Sequence, residues 1–256
     1  MMESMTLIYS NKLFITEINE YLIQPLFGEI ANIGEENYNK LLLPYALSLD
    51  MISNISDEQK KEIKVFDLIF CKNPADNSQY LFENKGGVDK GIPYLNILKD
   101  SLEFYFKKPI KIIEEINNQC IIIGSEGVLN RDNFDMLADI ILKINYRDKP
   151  KIDKPKYQTD RQRDIHEKLM AGRQRKSAEN YLSLADIANI VQHGGKSFIS
   201  YEEINKLTIS QLYNSYRTIM TTDSYDREYS QFLIGAKPDD LSINKHWSQQ
   251  IKIKTD

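Results

Sequence analysis

Apolar and polar positions along the first half of the chain follow two different periods. Around residues 6–16 they alternate, which predicts a short β-hairpin with its turn at Asn11 and Lys12. Residues 110–125 are rich in β-branched side chains on both sides of Asn117 and Asn118, which predicts a second hairpin turning at that pair. The N-terminal half therefore contains a small antiparallel sheet component.

Helical spacing of apolar residues fills most of the rest of this half. Pro25 ends an extended run, a short helix follows as far as Gly34, and a further helix places Tyr38, Leu42 and Tyr45 on one face. The same pattern predicts helices over residues 57–71, 92–106 and 130–146, with a short strand at residues 79–83. Residues 124–127 (GSEG) lack the lysine of a phosphate-binding loop and are interpreted as a turn.

Beyond residue 158 the pattern is helical throughout. A helix capped by Ser183 ends at Gly194 and Gly195, where a left-handed glycine is the expected helix stop. Thr208 caps a longer helix, whose apolar pattern is interrupted at residues 221–228 and resumes at residues 229–237. The HGG sequence after His193 is thus interpreted as a helix end rather than a phosphate cradle.

These patterns predict an α+β protein in three parts. Residues 1–147 form a mixed domain with small antiparallel hairpins, and residues 159–256 form an all-helical C-terminal part. Residues 148–158 contain Pro150 and Pro155 among lysines, which is typical of a linker.

Charge is unevenly distributed over the 256 residues, although the net charge is only −4. Residues 1–145 carry 14 basic and 22 acidic side chains, residues 146–179 carry 11 and 6, and residues 180–256 carry 8 and 9. The basic middle segment could meet phosphates, so a nucleic-acid-binding or regulatory protein is the alternative function, with candidate contacts at Arg161, Arg163, Arg173, Arg175 and Lys176. The six interleaved acidic residues, and Tyr157 as the only stacking aromatic, argue against nucleic acid. The favoured interpretation of this segment is a solvated linker and helix, and contact with an acidic protein surface is a further alternative.

Candidate catalytic chemistry is sparse. His166, His193 and His246 are far apart in sequence and lack the spacing of metal ligands or of a catalytic triad. Cys71 and Cys120 lie in apolar runs and are interpreted as buried thiols of a reducing compartment. We expect no catalytic, cofactor-binding or metal-binding residues and therefore no enzyme.

The expected location is the cytoplasm. The N-terminus lacks the charged and apolar segments of a signal peptide, and no apolar run approaches about 18 residues. The sequence gives no indication of the oligomeric state.

Two stretches resemble tail-region proteins of phages and prophages of Gram-positive bacteria. Residues 25–48 carry a pattern formed by Pro25, Ile30, Ile33, Gly34 and Tyr38. Residues 182–216 and 233–247 carry a second pattern, formed by Leu207, Thr208, Gln211, Leu212, Tyr213, Ala236, Lys237, His246 and Trp247.

This resemblance implies a role in tail assembly through contacts with other tail proteins, such as the tape-measure or tube protein. One such role is a chaperone that keeps the tape-measure protein soluble before the tail tube polymerises. The resemblance implies no catalytic residues and no cofactor. A chaperone of this kind needs accessible apolar surface for amphipathic helices, and the candidate partner-binding residues are Tyr213, Tyr216, Tyr229, Phe232 and Trp247. The competing interpretation is that these aromatic residues form the core of the helical part.

Overall fold

The computed structural model describes residues 8–49, 63–70, 94–115, 118–150, 159–179, 181–235 and 246–250. Several sequence predictions lie wholly or mostly outside these ranges: the linker from residue 151 onward, most of the helix at residues 57–71, the strand at residues 79–83, and Cys71. Within them the predicted α+β class is confirmed, because two small antiparallel sheets in the N-terminal half are followed by helices.

The N-terminal half contains five strands, five α-helices and a 3₁₀ turn among its described residues. They are β1 (Lys12–Ile15), β2 (Glu20–Ile23), α1 (Phe27–Ile33), α2 (Glu35–Leu42), the 3₁₀ turn (Leu43–Ala46), α3 (Val65–Phe70), α4 (Tyr94–Phe106), β3 (Ile110–Glu115), β4 (Asn118–Ile123), β5 (Gly127–Asn130) and α5 (Phe134–Ile144). The described helices that follow are α6 (Asp160–Glu179), α7 (Leu184–His193), α8 (Tyr201–Lys206), α9 (Ile209–Leu233) and α10 (Trp247–Gln250).

A hairpin forms in this region, but it spans residues 12–23 instead of the predicted residues 6–16, and the predicted turn at Asn11 and Lys12 is wrong. Lys12 begins β1 and pairs with Ile23, so the turn falls at residues 16–19. Asn19 closes this turn with φ of 60°, a left-handed conformation that asparagine tolerates, and its N–H donates to the Ile15 carbonyl at 2.8 Å. The alternation of apolar and polar residues is compatible with a turn at Asn11 and Lys12 and with one at residues 16–19. The second position is favoured because Asn19 can adopt the left-handed conformation that the tight turn needs.

The second hairpin is part of a three-stranded antiparallel sheet in the order β3-β4-β5. Asn118 pairs with Glu115 and therefore belongs to β4 rather than to the turn that the sequence predicted. The GSEG segment is a turn, as predicted, and begins with Gly124 at φ of 64°. It leads into the unpredicted strand β5, where a Cβ on Gly127 would lie 2.9 Å from the Ile123 carbonyl oxygen.

One hydrophobic cluster connects the N-terminal half with the C-terminal helices. Its C-terminal members are Leu184, Ile187, Ala188, Val191, Ile204, Ile209 and Leu212. The backbone reinforces this connection, because the Phe27 N–H donates to the Leu207 carbonyl at 2.8 Å and the Ile209 N–H donates to the Pro25 carbonyl at 3.0 Å. The proposed division into two domains stays a prediction, and the interface between the two parts is part of a common core.

Helix α7 begins as the sequence predicts but ends differently. The Ser183 hydroxyl accepts from the Asp186 N–H at 3.1 Å, and the Asp186 carboxylate accepts from the Ser183 N–H at 2.9 Å. Gly194 caps the other end with φ of −83°, so the predicted left-handed conformation is wrong. A Cβ at Gly194 would lie 2.7 Å from the Ile190 carbonyl oxygen and 3.3 Å from the Ile219 side chain, so glycine allows α9 to approach closely.

Helix α9 runs without a break over 25 residues, so the polar residues 221–228 that interrupt its apolar pattern do not end the helix. Polar residues continue the helix on its solvated faces. Thr218, Thr221, Thr222 and Ser230 each donate a hydroxyl hydrogen bond to the carbonyl four residues earlier. Gly235, with φ of 103°, follows the end of the helix, as its position in the sequence predicts.

Replacing Glu20 with glutamine is expected to make unfolding less dependent on pH. The Glu20 carboxylate is buried and accepts from Lys108 Nζ at 2.6 Å and from the Tyr21 N–H at 2.9 Å. Burial raises the pKa of this carboxyl, but the bonds to Lys108 and Tyr21 outweigh burial and lower the pKa below its usual value. A lowered pKa stabilises the fold above the ordinary glutamate pKa, and this stabilisation is lost as the pH falls through the folded-state pKa.

Urea unfolding should therefore show Glu20→Gln to be less stable by about 1 kcal/mol at pH 7, with the difference shrinking below about pH 4. An unchanged difference at acidic pH would contradict the assignment, because it would show that the ionised carboxylate is not the source of the stabilisation.

Candidate functional site

The distal half of α9 is one of several places where the protein exposes apolar side chains. Tyr229, Phe232 and Leu233 are 45%, 44% and 66% exposed, and Ile234 directly after the helix is 87% exposed. A contiguous apolar surface of this kind on a folded protein is typical of a protein–protein contact. The other end of the same helix is buried at Ile209 and Leu212.

The aromatic residues predicted to bind a partner do not share one face of α9. Tyr213 stacks on Tyr146 with ring centroids 5.5 Å apart, burial raises the pKa of its hydroxyl, and Tyr216 packs against the core. Tyr225 follows Tyr216 by nine residues, about two and a half helical turns, and therefore lies on the opposite side. Tyr213 and Tyr216 thus face the core, whereas Tyr229 belongs to a second, outward face.

We call the outward face, formed by Tyr225, Tyr229 and Phe232, the distal stripe. The rings of Tyr225 and Tyr229 stack with centroids 6.0 Å apart. Helix α10 lies against one end of the stripe, where the His246 ring is 5.2 Å from Tyr225, and half-buried Trp247 is 5.3 Å from His246. Of the predicted residues, Tyr229 and Phe232 thus lie on the distal stripe, and Trp247 is connected to it through His246 and Tyr225. Sequence reasoning missed Tyr225, although its four-residue spacing from Tyr229 could have indicated it.

Acidic residues border the distal stripe. The helical period places Glu228 on one flank and Asp226 on the other, with Arg227 on the far side of the helix. Arg227 is directed along its own helix, where its Nε atom donates to the Asp223 carbonyl. The stripe is therefore an aromatic surface with negatively charged margins.

Helix α6 carries the candidate nucleic-acid contacts and exposes almost all of its described side chains. Arg161, Arg163, Arg173, Arg175 and Lys176 are exposed, and so are the apolar residues Ile165, Leu169 and Met170. Arg163 forms ion pairs with Asp160 at 3.2 Å and Glu167 at 3.9 Å on its own helix. Lys149, at the edge of the predicted linker, lies 3.0 Å from Asp139. Part of the basic segment is thus already paired with carboxylates.

A polar contact fixes the start of α7 against α2. The Glu35 carboxylate accepts from the Tyr181 hydroxyl at 2.5 Å and from the Leu184 N–H at 3.0 Å. The hydrogen bond to Glu35, with some burial, raises the pKa of the Tyr181 hydroxyl. Nearby, Arg147 Nη2 donates to the Asn39 amide oxygen at 2.5 Å and helps to line a shallow cavity of about 340 Å³. The two bonds of Glu35 thus help to hold the start of α7 on the N-terminal half.

The histidines lie in separate places. His193 is exposed at the end of α7, with its ring 5.5 Å from Phe198, whereas His246 contacts Tyr225 and Ser248. Among the described residues, no three histidine, cysteine or acidic side chains are arranged to hold a metal ion. None of the described helices combines the length and apolar composition needed to cross a membrane.

Residues 174–252 match the family model of the YomV second domain. This YomV-like region contains α7 to α10, including the distal stripe, and covers less than half of the chain. The YomV family is associated with phages and prophages, so the match supports a phage-related protein. No curated protein and no solved structure matches the chain. Of the two stretches that resemble phage tail-region proteins, the second lies within the YomV-like region and the first lies outside it.

Proposed function

We propose that this protein acts in phage tail morphogenesis through contacts with other tail proteins, in the host cytoplasm and without catalysing a reaction. The observation that carries the proposal is the distal stripe, an exposed aromatic surface inside the YomV-like region. The role we favour is that of a chaperone for the tape-measure protein.

The shape and chemistry of the distal stripe suit an amphipathic helix as its client. Tyr229 and Phe232 are large, rigid side chains that bury considerable apolar area with little loss of conformational entropy. A helix can lay its apolar face along such a stripe with anchors at three- and four-residue spacing. Glu228 and Asp226 at the margins would favour basic residues flanking that apolar face. A long, mostly helical tape-measure protein offers many segments of this type.

Replacing Tyr229 and Phe232 together with serine is expected to weaken capture of the tape-measure protein at least about tenfold, because aromatic anchors supply much of the binding free energy. The measurement is co-purification of the full chain with the tape-measure or tube protein of the same phage, after nuclease treatment. The matched control is Phe14→Ser with Tyr21→Ser, an equally exposed aromatic pair on the outer face of β1 and β2.

The control should bind as the wild type does. Equal losses in both variants would contradict a specific site, and capture of neither tail protein would contradict the proposed function. Capture that disappears with nuclease would instead favour the nucleic-acid alternative.

A further inference from the structure

We propose that two copies of this chain associate, with α6 of each copy seated on the distal stripe of the other. This proposal does not depend on the proposed function, because it concerns only the two complementary helix surfaces that the chain itself carries. The argument rests on exposure, on the positions of the charges, and on symmetry.

Helix α6 has an apolar face that the described part of the chain leaves exposed. Ile165 and Leu169 are 51% and 58% exposed and lie one turn apart on the same face, with Gly172 a further turn along. Every described side chain of α6 except His166 is exposed. A helix exposed on all sides gains little from tertiary packing, which is what normally stabilises helices in water.

The charges on α6 are segregated around this face. The helical period places Arg161 and Lys168 on one flank of Ile165 and Leu169, and Arg173 on the other. The far side of the helix carries Asp160, Arg163 and Glu167, whereas Asp164 lies beside Lys168 at the outer edge of its flank. The apolar face of α6 is therefore bordered by positive charge.

The distal stripe of α9 has the opposite arrangement. Its aromatic face is bordered by Asp226 and Glu228, and the far side carries Arg227 together with Asp223. Placing the two apolar faces together brings basic flanks against acidic flanks, whereas rotating α6 by half a turn brings Asp160 and Glu167 towards the acidic margins of the stripe. Charge complementarity thus selects one pairing of faces and identifies α6 as an occupant of the stripe.

In a dimer, the apolar face of α6 and the distal stripe are covered in both copies. When α6 of the first copy covers the stripe of the second, a two-fold axis places α6 of the second copy on the stripe of the first, and the assembly closes. A partner helix that binds the stripe would have to displace α6, so self-association and partner binding compete for Tyr229 and Phe232.

The test uses charge reversal in the full chain, followed by sedimentation equilibrium after nuclease treatment. The first variant carries Lys168→Glu and Arg173→Glu, and the second carries Asp226→Lys and Glu228→Lys. We expect each variant alone to dissociate at least about tenfold more readily than the wild type, because both contacts of its dimer then oppose like charges. An equimolar mixture should restore the dimer, because one of its contacts is wild-type and the other has both signs exchanged.

Controls separate this proposal from its competitors. Arg163→Glu lies on the far side of α6 and should leave association unchanged, and circular dichroism should show that all variants fold. Added salt should weaken the wild-type dimer, because the paired charges are exposed. A wild type that stays monomeric at about 100 μM, or a mixture that fails to restore the dimer, would overturn the proposal. Dissociation of the wild type by nuclease would also overturn it and would assign α6 to nucleic acid.

Discussion

Replacing Asn145 with leucine is expected to destabilise the fold by about 2–4 kcal/mol, because it leaves two buried tyrosine hydroxyls without their main partner. The Asn145 amide nitrogen donates to the Tyr105 hydroxyl at 3.0 Å and to the Ile141 carbonyl at 2.7 Å, and its amide oxygen accepts from the Tyr38 hydroxyl. The Tyr38 and Tyr105 hydroxyls lie 3.1 Å apart. Each of the two hydroxyls therefore forms its hydrogen bonds with Asn145 and with the other tyrosine.

The network joins α2, α4 and the end of α5 inside the hydrophobic core. Burial raises the pKa of Tyr38 well above its usual value and that of Tyr105 to about 12, so both hydroxyls stay neutral in any physiological buffer. Neutral hydroxyls without water need hydrogen-bond partners, and a leucine at position 145 provides none.

The measurement is urea unfolding followed by circular dichroism at neutral pH. Adding Tyr38→Phe and Tyr105→Phe together to the Asn145→Leu variant should recover part of the lost stability, because it removes both hydroxyls that have lost their bond to Asn145. A neutral effect of Asn145→Leu, or a further loss in this triple variant, would show that the network does not stabilise the fold in this way.

Local sequence signals predicted the beginnings of α7 and α9 because each capping interaction is completed within four residues. The Ser183 hydroxyl accepts from the Asp186 N–H at 3.1 Å, and Thr208 and Gln211 form the same motif at the start of α9. The buried network of Tyr38, Tyr105 and Asn145 has no such signal. Its members are 40 or more positions apart in the chain, and only the packed fold brings them together.

The candidate site was predicted in part. Exposed Tyr229 and Phe232 were identified as candidate partner contacts from their aromatic character, and their exposure agrees with that use without testing it. The sequence interpretation placed Tyr213 and Tyr216 in the same group, as if all the aromatic residues of α9 lay on one face of the helix. The apolar positions instead change faces between Tyr216 and Tyr225, and the helical period could have revealed this once the helix was known to be continuous.

The exposure of α6 agrees with the interpretation of this basic segment as a solvated helix, but the exposure of its apolar pair could not be inferred from the sequence. Ile165 and Leu169 have the spacing of an ordinary core-facing pair, and the same pattern elsewhere in this chain is buried, as at Leu98 and Leu102. Whether a given helical face meets a neighbour depends on where the other elements lie.

Replacing Leu212 with alanine is expected to cost about 2–5 kcal/mol and to destabilise both halves of the protein together. Leu212 is fully buried in the first turns of α9, and deleting its side chain removes apolar contacts and leaves a cavity. The matched control is Leu233→Ala at the other end of the same helix, where the side chain is 66% exposed and the change should be close to neutral.

We expect both halves to lose stability together because hydrogen bonds join the beginning of α9 to the N-terminal half. The Ser210 hydroxyl donates to the Gln24 amide oxygen at 2.6 Å, the Gln211 amide donates to the Ile8 carbonyl at 3.0 Å, and the Ile209 N–H donates to the Pro25 carbonyl at 3.0 Å. Elements coupled through a common core usually open as one cooperative unit.

Amide hydrogen exchange can distinguish a common unit from two independent domains. In the Leu212→Ala variant, the amides of β2 and α4 should lose protection by the same free energy as those of α7 and α9. If β2 and α4 keep wild-type protection while α9 loses its own, residues 159–256 unfold independently. The bonds at Gln24, Pro25 and Ile8 would then be contacts between separate domains rather than parts of one folding unit.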